Sequence, residues 1–98
     1  MLVRIVKMEF EAAKIDTFKA LFEEHKLKIR NVAGCAFLEL YQDLNNKAVF
    51  FTYSYWNDES DLENYRNSEL FKNIWSATKK NFSAKPEAWS VHKLVSLK

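Results

Sequence analysis

The side chains able to do chemistry are few. His25, His92 and Cys35 are the only imidazoles and thiol in the chain, and they share no recognised metal-ligand spacing. With one glycine in the sequence there is no phosphate-cradling loop, and no Gly-x-Ser-x-Gly or Cys/His signature is present. Metal, nucleotide and nucleophile chemistry therefore lack their usual residues. What remains is aromatic. The stretch YSYWNDESDLENYRNSELFKNIW, residues 53–75, carries Tyr53, Tyr55, Trp56, Tyr65, Phe71 and Trp75. Tyr and Trp have a polar tip that needs a partner when buried. Several tips converging can line an apolar pocket with a few placed polar groups. The same spacing equally suits aromatics that simply pack, the expected state of Phe50, Phe51, Phe71 and Phe82.

His25 is the sharpest single residue. It follows Phe22 by three positions and precedes Ile29 by four, inside the apolar stripe of a helix, where an imidazole could handle a proton or orient a ligand. His92 falls in the last strand and faces either a pocket or an interface. Arg66, beside Tyr65, can pair with Asp61 or Glu63, or can hold an anionic or quinone-like oxygen.

These residues need elements to hold them. Residues 2–10, LVRIVKMEF, read as a strand. A helix follows from Ile15 to about Val32, its apolar face set by Ile15, Phe18, Phe22, Ile29 and Val32. Asp16 in its first turn and Lys28 and Arg30 in its last suit the helix dipole, and Gly34 ends the segment. Residues 35–42 and 48–56 are strands joined by the turn DLNNK, where Asn45-Asn46 could take left-handed conformations in a tight hairpin. Asp58 or Ser60 starts a short helix, with Ser60 and Glu63 spaced as a capping box. Ser68 caps a second helix that presents Phe71, Ile74, Trp75, Thr78 and Phe82. Pro86 stops it, and 88–97 form the last strand. The order β-α-β-β-α-β is the α+β, ferredoxin-like arrangement with an antiparallel sheet, expected as a single domain over 1–98.

The central strands are apolar on both faces. Val49, Phe51, Tyr53 and Tyr55 alternate with Ala48, Phe50, Thr52 and Trp56, and Cys35, Phe37 and Tyr41 alternate with Ala36, Leu38 and Leu40. Two helices cover one face only, and an antiparallel sheet with a wet face should show polar residues there. A second copy of the sheet is the simplest cover, so a homodimer packed sheet to sheet, closing into a barrel, is expected.

Charge and length narrow the partners. A net charge of +2, with 15 basic and 13 acidic residues interspersed, is too weak and mixed for a nucleic-acid footprint. No apolar run approaches the roughly 18 residues of a membrane span, and the N-terminus does not read as a signal peptide. The lone Cys35 fits a reducing, cytoplasmic setting.

VRIVKMEF, FFTYSYW, LENYRNSELFKNIW and KPEAWSV resemble the antibiotic biosynthesis monooxygenase family over nearly the whole chain, and especially its small bacterial quinol- or antibiotic-type members. The resemblance implies a ferredoxin-like protomer paired into a dimeric α+β barrel. It implies oxygenation of a phenolic or quinol substrate by O₂ without metal, flavin or other cofactor. Trp56 matches the Trp that lines the pocket of the polyketide-oxidising members; their Asn falls at about Thr52, and Tyr65 or Tyr53 stands in for their Tyr. Taken with the reading of the residues themselves, the expected site has His25, Thr52 and Tyr53 in catalytic roles and Phe51, Trp56, Tyr65 and Trp75 as walls against the substrate. The heme-degrading branch uses an Asn, Trp and His set, whose places hold Lys7, Tyr65 and Trp75 here, so its ligating histidine is not matched. The alternative reading is a module that binds a hydrophobic metabolite or heme without turning it over.

Overall fold

The computed structural model describes residues 1–98. Strand β1 (Leu2–Glu9) is followed by a 3-10 turn (Ala12–Lys14), helix α1 (Ile15–Arg30), β2 (Cys35–Gln42), β3 (Val49–Trp56), α2 (Glu59–Arg66), α3 (Glu69–Lys79) and β4 (Glu87–His92). The strands form one antiparallel sheet in the order β2-β3-β1-β4, and the helices lie on one of its faces. This is the ferredoxin-like α+β arrangement expected from the element order.

Register fixes what each face carries, because directly opposed residues point the same way. One row runs Leu40, Thr52, Val6, Ala88, and the next runs Leu38, Ser54, Arg4, Ser90. These rows face the helices. The alternate rows carry Tyr53, Ile5 and Trp89, and Phe37, Tyr55, Val3 and Val91, on the outer face. Tyr55 stacks on Phe37 at 4.3 Å, and Tyr53 meets Tyr41 edge-on at 5.2 Å.

Between sheet and helices lie two apolar clusters. Met8, Phe10, Phe18 and Phe50 form the first, with Phe10 stacked on Phe18 at 4.2 Å. Cys35, Trp56 and Leu62 form the second. Aromatic packing of this kind adds about 0.5–1.5 kcal/mol per pair beyond area burial.

Several boundaries differ from expectation, each for a local reason. Helix α1 stops at Arg30 rather than Val32: Asn31 leaves the helical region with ψ 4°, the Val32 N–H turns back to Ile29 O in a tighter i→i−3 step, and Arg30 Nη1 reaches Cys35 O at 2.8 Å across the turn. Gly34 takes φ +87°, as an αL residue should. The β2–β3 turn uses no left-handed asparagine, since no non-glycine residue has positive φ. Instead Asp43 Oδ2 accepts from the Asn45 and Asn46 N–H groups at 3.0 and 2.8 Å, an Asx turn that does the same work without backbone strain. Helix α2 is entered through Asp58, not through a Ser60 capping box; Ser60 Oγ donates to Asp58 Oδ2 at 2.6 Å. Ser68 caps α3 as expected, accepting from Phe71 N–H. Strand β4 ends at His92 rather than Leu97, because its last partner is Leu2 at the start of β1 and the ladder has no further rung. A bulge sets Cys35 and Ala36 together against Trp56. It turns Cys35 inward with Trp56 rather than outward with Phe37.

Candidate functional site

Two strand rows, one long helix and the α2–α3 pair leave a cavity of about 280 Å³ between the two apolar clusters, near the lower end of small-molecule pockets. Its floor is the sheet: Arg4, Val6, Leu38, Thr52, Ser54 and Trp56. The roof is Phe18, Phe22 and Ile29 of α1 with Tyr65, Phe71 and Trp75 of α2 and α3.

The roof aromatics form a continuous series. Trp56 stacks on Tyr65 at 5.2 Å, Tyr65 meets Phe71 edge-on at 5.1 Å, and Phe71 lies within 10° of parallel to Trp75 at 5.8 Å. The series exists because Ser68 starts α3 where it does. From that cap, Phe71, Ile74, Trp75 and Thr78 recur at helical spacing along the inward stripe.

The polar groups are mostly hydroxyls, with two guanidiniums. Trp56 Nε1 donates to the buried Ser54 Oγ at 2.9 Å, which fixes the indole against the floor. Burial, reinforced by the neighbouring Cys35 thiolate charge, pushes the Tyr65 hydroxyl up to about 12. Tyr65 is therefore a neutral phenol at ordinary pH, able to donate to a ligand oxygen but unable to act as a base. Burial likewise raises the Cys35 thiol, so this cysteine is a packing residue rather than a nucleophile.

Two arginines stand at the α2 side. Arg4 is half-buried and its Nη1 donates to Ser90 Oγ at 3.0 Å. Arg66 is more exposed, with Nη1 3.9 Å from Glu63 Oε2. The guanidinium of Arg4 is held below its ordinary value by burial and by the charge of Arg66, against which Glu63 works. Glu87 also borders the cavity, but it sits opposite Lys7 on the outward parity of the sheet. No three His, Cys, Asp or Glu side chains are grouped as metal ligands.

Of the residues expected to form the site, Thr52, Trp56, Tyr65 and Trp75 are brought together. Phe51 and Tyr53 are not. They lie on the outer face, opposite Lys7 and Ile5, because strand alternation sends them away from Thr52 and Trp56. His25 does not border the cavity either. Its side chain is 20% exposed beside Glu24, with Nε2 3.8 Å from Glu24 Oε2 and Nδ1 buried without a partner. His92 lies at the rim of the sheet, exposed. Arg4 and Ser54 were missed. The signal for Arg4 was present in LVRIVKMEF, where it falls in the alternate row with Leu2, Val6 and Met8, a charge placed among inward apolar residues; Ser54 shares the parity of Thr52 and Trp56.

The comparisons bear on this geometry. The family model for antibiotic biosynthesis monooxygenase matches residues 1–76. The chain belongs to the antibiotic biosynthesis monooxygenase family. A solved structure described as an antibiotic biosynthesis monooxygenase superposes with a TM-score of 0.90 at 19% identity, covering 97% of this chain and 100% of that one. A conserved protein from Methanosarcina mazei Go1 gives 0.87 at 23% identity over 95% and 93%. A Pseudomonas aeruginosa protein gives 0.84 at 19% over 96% and 94%. At these identities the neighbours show the fold. No curated protein matches the sequence. No helix of this family member is long and apolar enough to cross a membrane.

Proposed function

We propose that the protein is a monooxygenase of phenolic or quinol-type aromatics, a single domain over 1–98 that works as a homodimer in the cytoplasm and draws its electrons from the substrate. The observation that carries this reading is the slot: an apolar cavity walled by stacked aromatics and set with a few hydroxyl and guanidinium groups. In this reading a flat ring lies in the cavity against Trp56, Tyr65 and Trp75, all of which line it. Thr52 and the Tyr65 hydroxyl are the donors available to its oxygens. Excluding water and fixing the ring would leave an electron-rich substrate exposed to O₂ in one orientation. In the overall reaction one oxygen atom ends on the ring and the other leaves as water, with the quinol giving up all the electrons that O₂ takes.

His25 carries no step in this scheme, because it stands outside the slot. The outer face supports the dimer. Tyr41, Trp89 and Val91 are 47%, 43% and 39% exposed on that largely apolar face, a surface that a second sheet would cover.

Oxygen uptake by metal-free protein with chemically reduced menadiol tests the proposal. Saturable uptake above autoxidation, a product gaining one oxygen, and unchanged rates in His25→Ala are expected. Trp75→Ala should lower kcat/KM by about fivefold or more, since a lost ring contact is worth about 1 kcal/mol or more. Uptake equal to autoxidation would remove the oxygenase reading and favour a slot that binds an aromatic without turning it over.

A further inference from the structure

We infer that the slot selects an aromatic monoanion, a hydroxyarene carrying a carboxylate, and that Arg4 and Arg66 clamp that carboxylate at the α2 end. The inference rests on reading the cavity as an aromatic-binding slot and says which aromatic it prefers.

Three observations converge. First, both arginines border the cavity, one rising from the floor and one from α2, and they are near enough for the charge of Arg66 to act on Arg4. Second, their charge is under-compensated. The ion pairs within 4.0 Å in the molecule are His25–Glu24, Lys26–Glu23 and Arg66–Glu63. Arg4, although half-buried, has only the Ser90 hydroxyl as partner. Two guanidiniums against one carboxylate leave one positive charge over, which one monoanion cancels. A half-buried cation without a counter-ion is costly unless something fills that place. Third, the remaining polar groups facing the slot are Thr52, Ser54, Tyr65 and Thr78, all hydroxyls. None is a base at neutral pH, and Glu87 lies on the outward parity of the sheet. The slot therefore offers donors, and no facing carboxylate, to an incoming anion. Guanidinium forks match the two oxygens of a carboxylate, and paired charge-assisted bonds orient as well as bind.

The arginine end also sets the ring's direction. With the carboxylate between Arg4 and Arg66, the ring extends along the floor over Ser54 and Thr52 towards Trp75. The hydroxyl-bearing edge then comes to the Tyr65 and Thr52 donors.

The test is titration calorimetry near pH 7 with 3-hydroxy-2-naphthoate and its neutral analogue 3-hydroxy-2-naphthamide. The acid should bind at least about tenfold more tightly than the amide, the scale of one charge-assisted bond. Arg66→Gln and Arg4→Gln should each bring the two ligands to within about threefold of one another, leaving amide affinity in place. Glu63→Gln, which removes the competing carboxylate, should tighten the acid alone. Arg66 is exposed, so its variant folds as the wild type even if Arg4→Gln loosens the floor; equal melting temperatures check this. Acid and amide binding alike, an undiminished preference in Arg66→Gln, or no binding of either ligand would each overturn the clamp. Its failure is separable from that of the oxygenase reading. Menadiol, which is neutral and lacks a carboxylate, can be turned over without the clamp, and a strong acid preference can persist with no oxygen uptake at all.

Discussion

At the scale of single residues, the slot turns on which tips are ionised. Tyr65 is protonated in the folded protein up to about pH 12 but would ionise near 10.0 in the unfolded chain. The unfolded state therefore loses its proton first as pH rises, and stability contributed by the neutral phenol is complete below pH 10 and disappears between about 10 and 12. Urea unfolding across that window should show a fall in stability that Tyr65→Phe reduces, while the two proteins run in parallel below pH 9 or so. Equal falls in both would place the tyrosine in an ordinary solvated setting. Much of the site was legible at this scale. Thr52 and Trp56 share a parity, and Tyr65 and Trp75 lie on helices that had to cover that parity. Phe51 and Tyr53 share the opposite parity, so the alternation that placed Trp56 inward had already placed them outward. His25 was less decidable. Helical spacing puts it on the apolar stripe, but a stripe does not say which of its members border a gap and which close against a neighbouring element.

At the scale of elements, the least replaceable position is the turn between α1 and β2. Gly34 has φ +87°, and a Cβ built there would collide with the Asp61 side chain. Its carbonyl also accepts from the Asn57 N–H at 2.9 Å. The turn thus ties α1, β2 and the start of α2 together, and α2 carries Tyr65 and Arg66. Gly34→Ala should cost roughly 2 kcal/mol or more, combining left-handed strain with displacement of Asp61. Chemical denaturation measures it; a loss below about 0.5 kcal/mol would mean that α2 shifts freely, and the slot's roof with it. Element identity and order were readable because long regular segments with one glycine and one proline leave little doubt where the breaks fall. The ends were less readable. The close of β4 at His92 depends on where β1 begins, a long-range fact that LVSL, with its strand-like composition, does not carry. The Asx turn at Asp43 replaced left-handed asparagines because one carboxylate serves two N–H groups at once.

At the scale of the whole molecule, the two faces of the sheet do different things. The inner face holds the slot and its donors. The outer face presents Phe37, Tyr53, Tyr55, Ile5 and Trp89 with no element of the same chain above them. Two-sided apolar strands were the clue in the sequence, and the register now says which residues a partner would meet. Trp89→Asp places an unpaired carboxylate on the β4 side of that face, where burial against a second sheet would be costly. Sedimentation should find the wild type as a dimer and the variant shifted to monomer at the same concentration. A variant dimer of undiminished stability would put the interface elsewhere.

The claim on which the rest depends is that the space between sheet and helices is a ligand site rather than a gap in the packing. A crystal structure of the protein grown with a naphthol that resists oxidation tests this directly. Flat density lying between the Trp56–Tyr65 stack and Trp75, with an oxygen within hydrogen-bond distance of Tyr65 or Thr52, is the expected result. A slot closed by repacked Phe71 and Trp75, with the naphthol bound elsewhere or nowhere, would contradict it and leave the aromatics as core alone.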